Sequence, residues 1–153
     1  MATIAQFSQN LSRLANSSFL NSLLLQAIKD TEKIAISLQK QQLTEGYDSE
    51  DKEIGRYSQA SENIYISEGK KSNQPKIAGQ LFNFDDTGSF LKEIKLEYSN
   101  NDATFWSTDS KTPELIGKYK NIFGLDNYNL SNYVKNSLAP KFILSIKREL
   151  NIT

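Results

Sequence analysis

Apolar residues recur at Ile4, Phe7, Leu11 and Leu14 with three- and four-residue spacing, the stripe of one helical face. The polar stretch Asn16-Ser17-Ser18 interrupts that stripe, and Ser17 or Ser18 is expected to cap a second helix by accepting a backbone N–H. Its own stripe runs Leu24, Ile28, Thr31, Ala35 and Leu38, and Ile34 and Ile36 widen it into a broad buried face. Gly46 closes this helix, since glycine takes the left-handed conformation of a C-terminus without steric cost. Further on, Ile64-Tyr65-Ile66 is a short β-like run, followed by a polar stretch from Glu68 to Gly79 that reads as an exposed, mobile loop. The clearest strand is Leu91 to Tyr98, where Ile94, Leu96 and Tyr98 alternate with Lys95 and Glu97. Ser99-Asn100-Asn101-Asp102 is turn chemistry, and Ala103 to Thr108 reads as the returning strand of a hairpin.

Thr112-Pro113-Glu114 predicts a helix start with Thr112 as cap, and Gly117 predicts that this helix is short. The last helix carries Leu130, Val134, Leu138, Phe142 and Ile146 four apart, and Pro140, which lacks an N–H, predicts a kink or break near Ala139. The expected architecture is one α+β domain over residues 1–153. Helices span about 3–45, a loop and small antiparallel sheet with a hairpin about 46–110, and helices again about 112–150; the amphipathic helices of the two ends pack against the sheet.

Composition narrows the chemistry. With neither Cys nor His among 153 residues, the chain has no disulfide framework, no thiolate or imidazole metal site and no Ser-His-Asp triad, and it suits a reducing compartment. The formal net charge is zero, which is not the signature of a generic nucleic-acid binder. The distribution is uneven: residues 1–40 hold four basic and two acidic side chains, 41–129 hold ten and fifteen, and 130–153 hold four and one. Positive ends and a negative middle suit head-to-tail contact between subunits. No apolar run approaches the ~20 residues needed to span a bilayer.

The densest carboxylates are Asp48, Glu50, Asp51 and Glu53; Lys52 interrupts the calcium-loop spacing, and the group reads as a solvated loop, with a carboxylate-metal enzyme as the alternative. Asp85-Asp86 ahead of Thr87-Gly88 reads as a turn. The glycines form no nucleotide-binding run, and Lys141, Lys147 and Arg148 complement the dipole of the last helix, with a nucleic-acid-binding module as a further alternative. Catalytic, cofactor-binding and metal-ligating residues are therefore expected to be none. Of the aromatics, Tyr57, Trp106 and Phe123 are expected as interface anchors, since Phe105 and Trp106 must face opposite sides of a strand. Lys70, Lys71 and Lys76 are expected to let the 68–79 loop meet phosphates or an acidic surface.

Three stretches carry a resemblance: residues 38–58, 84–96 and 119–125. Gly46, Tyr47, Asp48, Ile54, Gly55, Tyr57 and Ser58, then Asp86, Thr87, Gly88, Phe90 and Leu91, follow in an order that resembles the small tailed-phage virion-morphogenesis or tail-completion proteins, the Mu-type family and its relatives in Bacteroidetes phages. Ile54-Gly55-Arg56-Tyr57 stands where that family usually has a Trp. The resemblance implies a non-enzymatic structural protein of the head–tail joint. It would be made in the bacterial host cytoplasm and carried in the virion as a cyclic oligomer of itself. Its partners would be the portal or neighbouring connector and tail proteins, with DNA met only in passage through the channel and no membrane.

Overall fold

The computed structural model describes residues 4–100 and 102–151, with Asn101 and the side chain of Ile4 outside the described part. The protein is α+β. Helices α1 (Ile4–Leu14), α2 (Ser17–Glu45) and α3 (Gln59–Ser67) come first, then the single turn α4 (Ser89–Lys92) and the hairpin β1 (Ile94–Ser99) and β2 (Asp102–Ser107). Helices α5 (Thr112–Lys118), α6 (Asn127–Tyr133) and α7 (Ala139–Glu149) complete the chain, the last two joined through a π-helical turn at Val134–Leu138.

Helix α2 is the axis. Its 29 residues extend about 43 Å at 1.5 Å each, and α1, the sheet and the C-terminal helices all contact it. Its cap is Asn16 and neither serine: the Asn16 carboxamide accepts from the N–H groups of Ser18 and Phe19, because the helix already starts at Ser17 and the capping residue must precede it. At the other end Gly46 takes φ 88°, and a Cβ there would lie 2.7 Å from the carbonyl oxygen of Phe82.

The hairpin is antiparallel, with Ile94 opposite Ser107, Leu96 opposite Phe105 and Tyr98 opposite Ala103 on its inner face. Leu96 packs with Ala35 of α2 and Tyr133 of α6, whose hydroxyl is 2.7 Å from that of Thr31. Strand β1 starts at Ile94 and not at Leu91, since residues 89–92 make a helical turn that buries Phe90. Ile64-Tyr65-Ile66 is helical and not β. The Ser58 hydroxyl caps α3 through the N–H of Ser61, the two-stranded sheet offers this run no pairing partner, and Ile64 and Ile66 stay exposed. Ile34, expected in the buried face of α2, is exposed, whereas Ile36 packs against the core.

The expectation at Thr112 changes, and of the kink or break expected near Ala139 the helix shows a local irregularity in place of a break. Thr112 is the first residue of α5 and does not cap it; its buried hydroxyl has no hydrogen-bond partner among the described residues. Ahead of Pro140 the helix does not break: the N–H of Ala139 reaches the carbonyl of Val134, five residues back, and the wider π-turn absorbs the hydrogen bond that proline cannot give.

A polar tie links α2 to the C-terminal part of the chain. Gln39 and Gln42, one turn apart on α2 and both buried, face the backbone of residues 122–126. Gln39 donates Nε2–H to the Ile122 carbonyl at 3.0 Å and accepts the Gly124 N–H at 2.7 Å. Gln42 repeats the pattern one step on, to the Gly124 carbonyl at 3.0 Å and from the Asp126 N–H at 2.9 Å. Two side-chain amides thus pair with the backbone of a bent connecting segment, taking both its N–H and its C=O groups. Asp126 then caps α6 by accepting the Asn129 N–H, so the clamp sets where the C-terminal helices begin.

Replacing Gln39 by Leu leaves a buried carbonyl and a largely buried N–H unpaired, at a cost of about 2–4 kcal/mol, or a fall in midpoint of about 5–12 °C for a chain of this size. Gln41→Leu, on the exposed side where Gln41 bonds Glu45, should change stability by less than about 0.5 kcal/mol. Thermal unfolding of the two variants checks this, and equal losses would contradict it.

Candidate functional site

Beyond the end of α2 the chain doubles back on itself. The segment 46–57 pairs with 79–82: the Phe82 N–H donates to the Gly55 carbonyl, and the Tyr57 N–H to that of Gln80, both at 2.9 Å. Gly55 permits this closeness, since a Cβ on it would meet the Phe82 ring at 2.5 Å. Phe82 belongs to a row of rings that begins at Tyr57. Tyr57 meets Phe82 edge-on at 4.9 Å, Phe82 meets Tyr119 at 5.7 Å, Tyr119 meets Phe84 at 5.7 Å and Phe84 meets Phe90 at 5.8 Å. Phe123 lies 6.1 Å from Phe90, and Trp106 lies 5.9 Å from Phe123. Edge-on and tilted geometries at these separations are the favourable ones for aromatic rings.

The Tyr57 end of the row forms the floor of a cleft of about 500 Å³, walled by α3, the 71–87 segment and α5. A smaller hollow of about 190 Å³ adjoins it and shares Tyr57, Lys76, Phe84 and Asp86. Phe84 holds φ at 51°, a left-handed conformation that a bulky side chain adopts only when its surroundings impose it. The walls are built by hydrogen bonds: Tyr57 donates its hydroxyl to Asn83 at 2.9 Å, Ser72 donates to the Asp85 carbonyl, and the Asn73 N–H donates to the Asp86 carbonyl at 2.7 Å. Lys76 reaches Asp86 at 2.7 Å and Lys111 reaches its other oxygen at 3.5 Å. The hydrogen bond from Lys76 holds the Asp86 carboxyl below its ordinary value, partial burial opposing it. Burial pushes the Tyr57 phenol up.

Of the six residues expected at an interface, Tyr57, Lys71 and Lys76 converge on this cleft. Lys70 sits beside it in an exposed left-handed turn. Trp106 and Phe123 lie at the opposite end of the aromatic row, with Trp106 on the outer face of β2, 37% exposed, while Phe105 faces the core. The 68–79 loop, expected to be exposed and mobile, is tied to the 85–86 segment and to Glu62, which accepts the Ala78 N–H. Most of the cleft's lining escaped sequence reasoning as site candidates, among it Tyr65, Phe82, Phe84, Lys118 and Tyr119. Tyr65 was hidden by the β-like reading of its neighbours, and a helical reading with Ser58 as cap would have placed it.

The acidic run 48–53 serves its own loop. Asp48 accepts the N–H groups of Glu50 and Lys52, Glu50 pairs with Lys52, and Glu53 holds Arg56 through two contacts. Among the described residues no group of three or more acidic side chains is placed to hold a metal ion, and no helix is long and apolar enough to cross a membrane. No family model, curated protein or solved structure matches the chain.

Because the folded Asp86 carboxyl ionises below its ordinary 3.8, the pair with Lys76 stabilises the fold above that pH, and the contribution fades as pH falls through the lower folded value. Lys76→Met should cost about 0.5–1 kcal/mol near neutrality, a small figure because both groups are partly solvated. The difference from the parent should narrow as pH falls below 3.8 and through the lower folded value. Urea titrations at several pH values measure it, and a difference independent of pH would assign the loss to the lysine stem alone.

Proposed function

We propose that this chain is a structural protein of the phage head–tail joint, of the connector or tail-completion type, acting as a ring built through subunit contacts and not through chemistry. The observation that carries the assembly part is the apolar surface left uncovered on separate helices. Phe7 and Leu11 stand out on α1, Leu130 and Val134 along the helix leading to Pro140, and Ile143 and Leu144 on α7. Tyr128, 79% exposed, projects from the first turn of α6. Single exposed apolar residues are ordinary on a monomer, but pairs repeated on one helix after another mark surfaces made for contact.

Unlike faces meeting copy to copy would close as a ring when the rotation allows it. The basic ends and acidic middle support such head-to-tail contact, which would set residues of the 130–153 segment against the 41–129 segment of a neighbour. The placement at a phage joint rests on the order of the matched motifs, in which Gly46 and Gly55 have backbone roles only glycine fills.

Quantitative mass spectrometry of purified phage particles from a host carrying this gene tests the reading. A fixed number of copies per particle is the expected outcome, with trypsin cleavage at Lys70 and Lys71 slower in particles than in the free chain. Particles that assemble and infect without the protein would contradict it. Leu11→Lys combined with Ile143→Lys should leave the free chain folded, since both positions are exposed, while lowering incorporation at least tenfold.

A further inference from the structure

The cleft between α3, the 71–87 segment and α5 has a use that subunit contact through the outer helices does not absorb. Its floor is aromatic, with Tyr57, Phe82, Phe84 and Tyr119 held edge to face, and its volume of about 500 Å³ falls in the range of small-molecule sites. Its shape is fixed beforehand. Tyr57 is pinned by Asn83, Lys76 and Lys111 are both committed to Asp86, and Phe84 is held in a backbone conformation it would not choose alone. A ligand entering would therefore meet little ordering cost.

The charges left over decide its sign. The Lys76–Asp86 pair is internally matched, whereas among the described residues neither Lys71 nor Lys118 forms an ion pair, Lys118 instead lying over the Tyr119 ring at 5.2 Å. Glu68, the remaining carboxylate on the rim, also forms none. Among the residues lining the cleft, two unpaired cations and one unpaired anion leave a single positive charge above an aromatic floor, and Lys111 behind Asp86 adds to the same sign. Ile64, 55% exposed, extends the apolar lip outward.

The geometry points to a binding site for a compact aromatic monoanion, one or two rings carrying a single carboxylate. The rings would lie against Tyr57, Phe82 and Tyr119, where ring–ring contact adds to burial. The carboxylate would remain at the rim between Lys71 and Lys118, where charge-assisted hydrogen bonds form without desolvating an ion fully. A purely apolar ligand would leave the two cations unmatched, and a cation would be repelled by them.

The test is an amide-resolved NMR titration of the full chain with 1-naphthoate, 1-naphthylmethanol, 1-naphthylmethylammonium and cyclohexanecarboxylate. Naphthoate should shift the amides of Tyr65, Lys71, Lys118 and Tyr119. The alcohol should bind about tenfold more weakly, the loss of two partly solvated ion contacts, and the ammonium and the non-aromatic acid weaker still. Lys71→Met with Lys118→Met, both at exposed positions, should preserve the spectrum of the fold and erase the preference for naphthoate over the alcohol. Equal binding of acid and alcohol to the parent chain would overturn the charge assignment. Absence of saturable shifts at these amides, or shifts confined to Ile143 and Leu144, would overturn the site. Because no assembly is needed, either result is independent of whether the chain belongs to a virion.

Discussion

Two glutamine side chains on one helix hold the fold's halves together. A side-chain carboxamide presents an N–H donor and a C=O acceptor side by side, as one residue of a strand does, so Gln39 and Gln42 can satisfy the backbone of 122–126 without a strand being there. In water each bond would be exchanged for one to solvent at little net gain. Here both glutamines are fully buried, and an unmade bond would leave a polar group stranded in the core. The arrangement fixes the register between α2 and the segment that carries Ile122 into the core and Asp126 to the head of α6.

From that anchor the rest extends in two directions. Towards the C-terminus, a located α6 brings the Tyr133 hydroxyl to Thr31 and lays α7 along α2, where Lys141 meets Asp30 at 3.1 Å. Towards the middle of the chain, Phe123 is placed between Phe90 and Trp106, and the aromatic row runs back through Phe84 and Tyr119 to the cleft at Tyr57. The row joins segments far apart in sequence. It is also where glycine is required, since any side chain at Gly55 would occupy the space of the Phe82 ring.

Periodicity made much of this legible. The stripes of α1, α2 and the last helix, the alternation of β1, the hairpin turn and the Gly46 terminus all show in the sequence, because each reflects a local repeat or a local conformational need. The clamp does not show. Gln39 and Gln42 continue the four- and three-residue spacing of Ala27, Thr31 and Ala35, which sets them on the buried face and Gln41 off it, but that spacing does not say what two buried amides pair with. Ile64-Tyr65-Ile66 misleads for a related reason: β-branched residues favour a strand only if another strand is available, and the cap at Ser58 decides instead. The cleft was half legible. Tyr57, Lys71 and Lys76 stood out by type, but the Lys76–Asp86 pair that leaves Lys71 and Lys118 unmatched is a fact of tertiary structure.

Amide hydrogen exchange at Gly124 and Asp126 tests the dependence on the clamp most directly, since both N–H groups lie in a connecting segment and are protected only by glutamine side chains. With the clamp holding the fold, they should exchange as slowly as the inner amides of α2, through global unfolding alone. Exchange at the rate of the exposed 68–79 loop would contradict this, and would mean that the two halves of the fold are held by apolar packing without the glutamines.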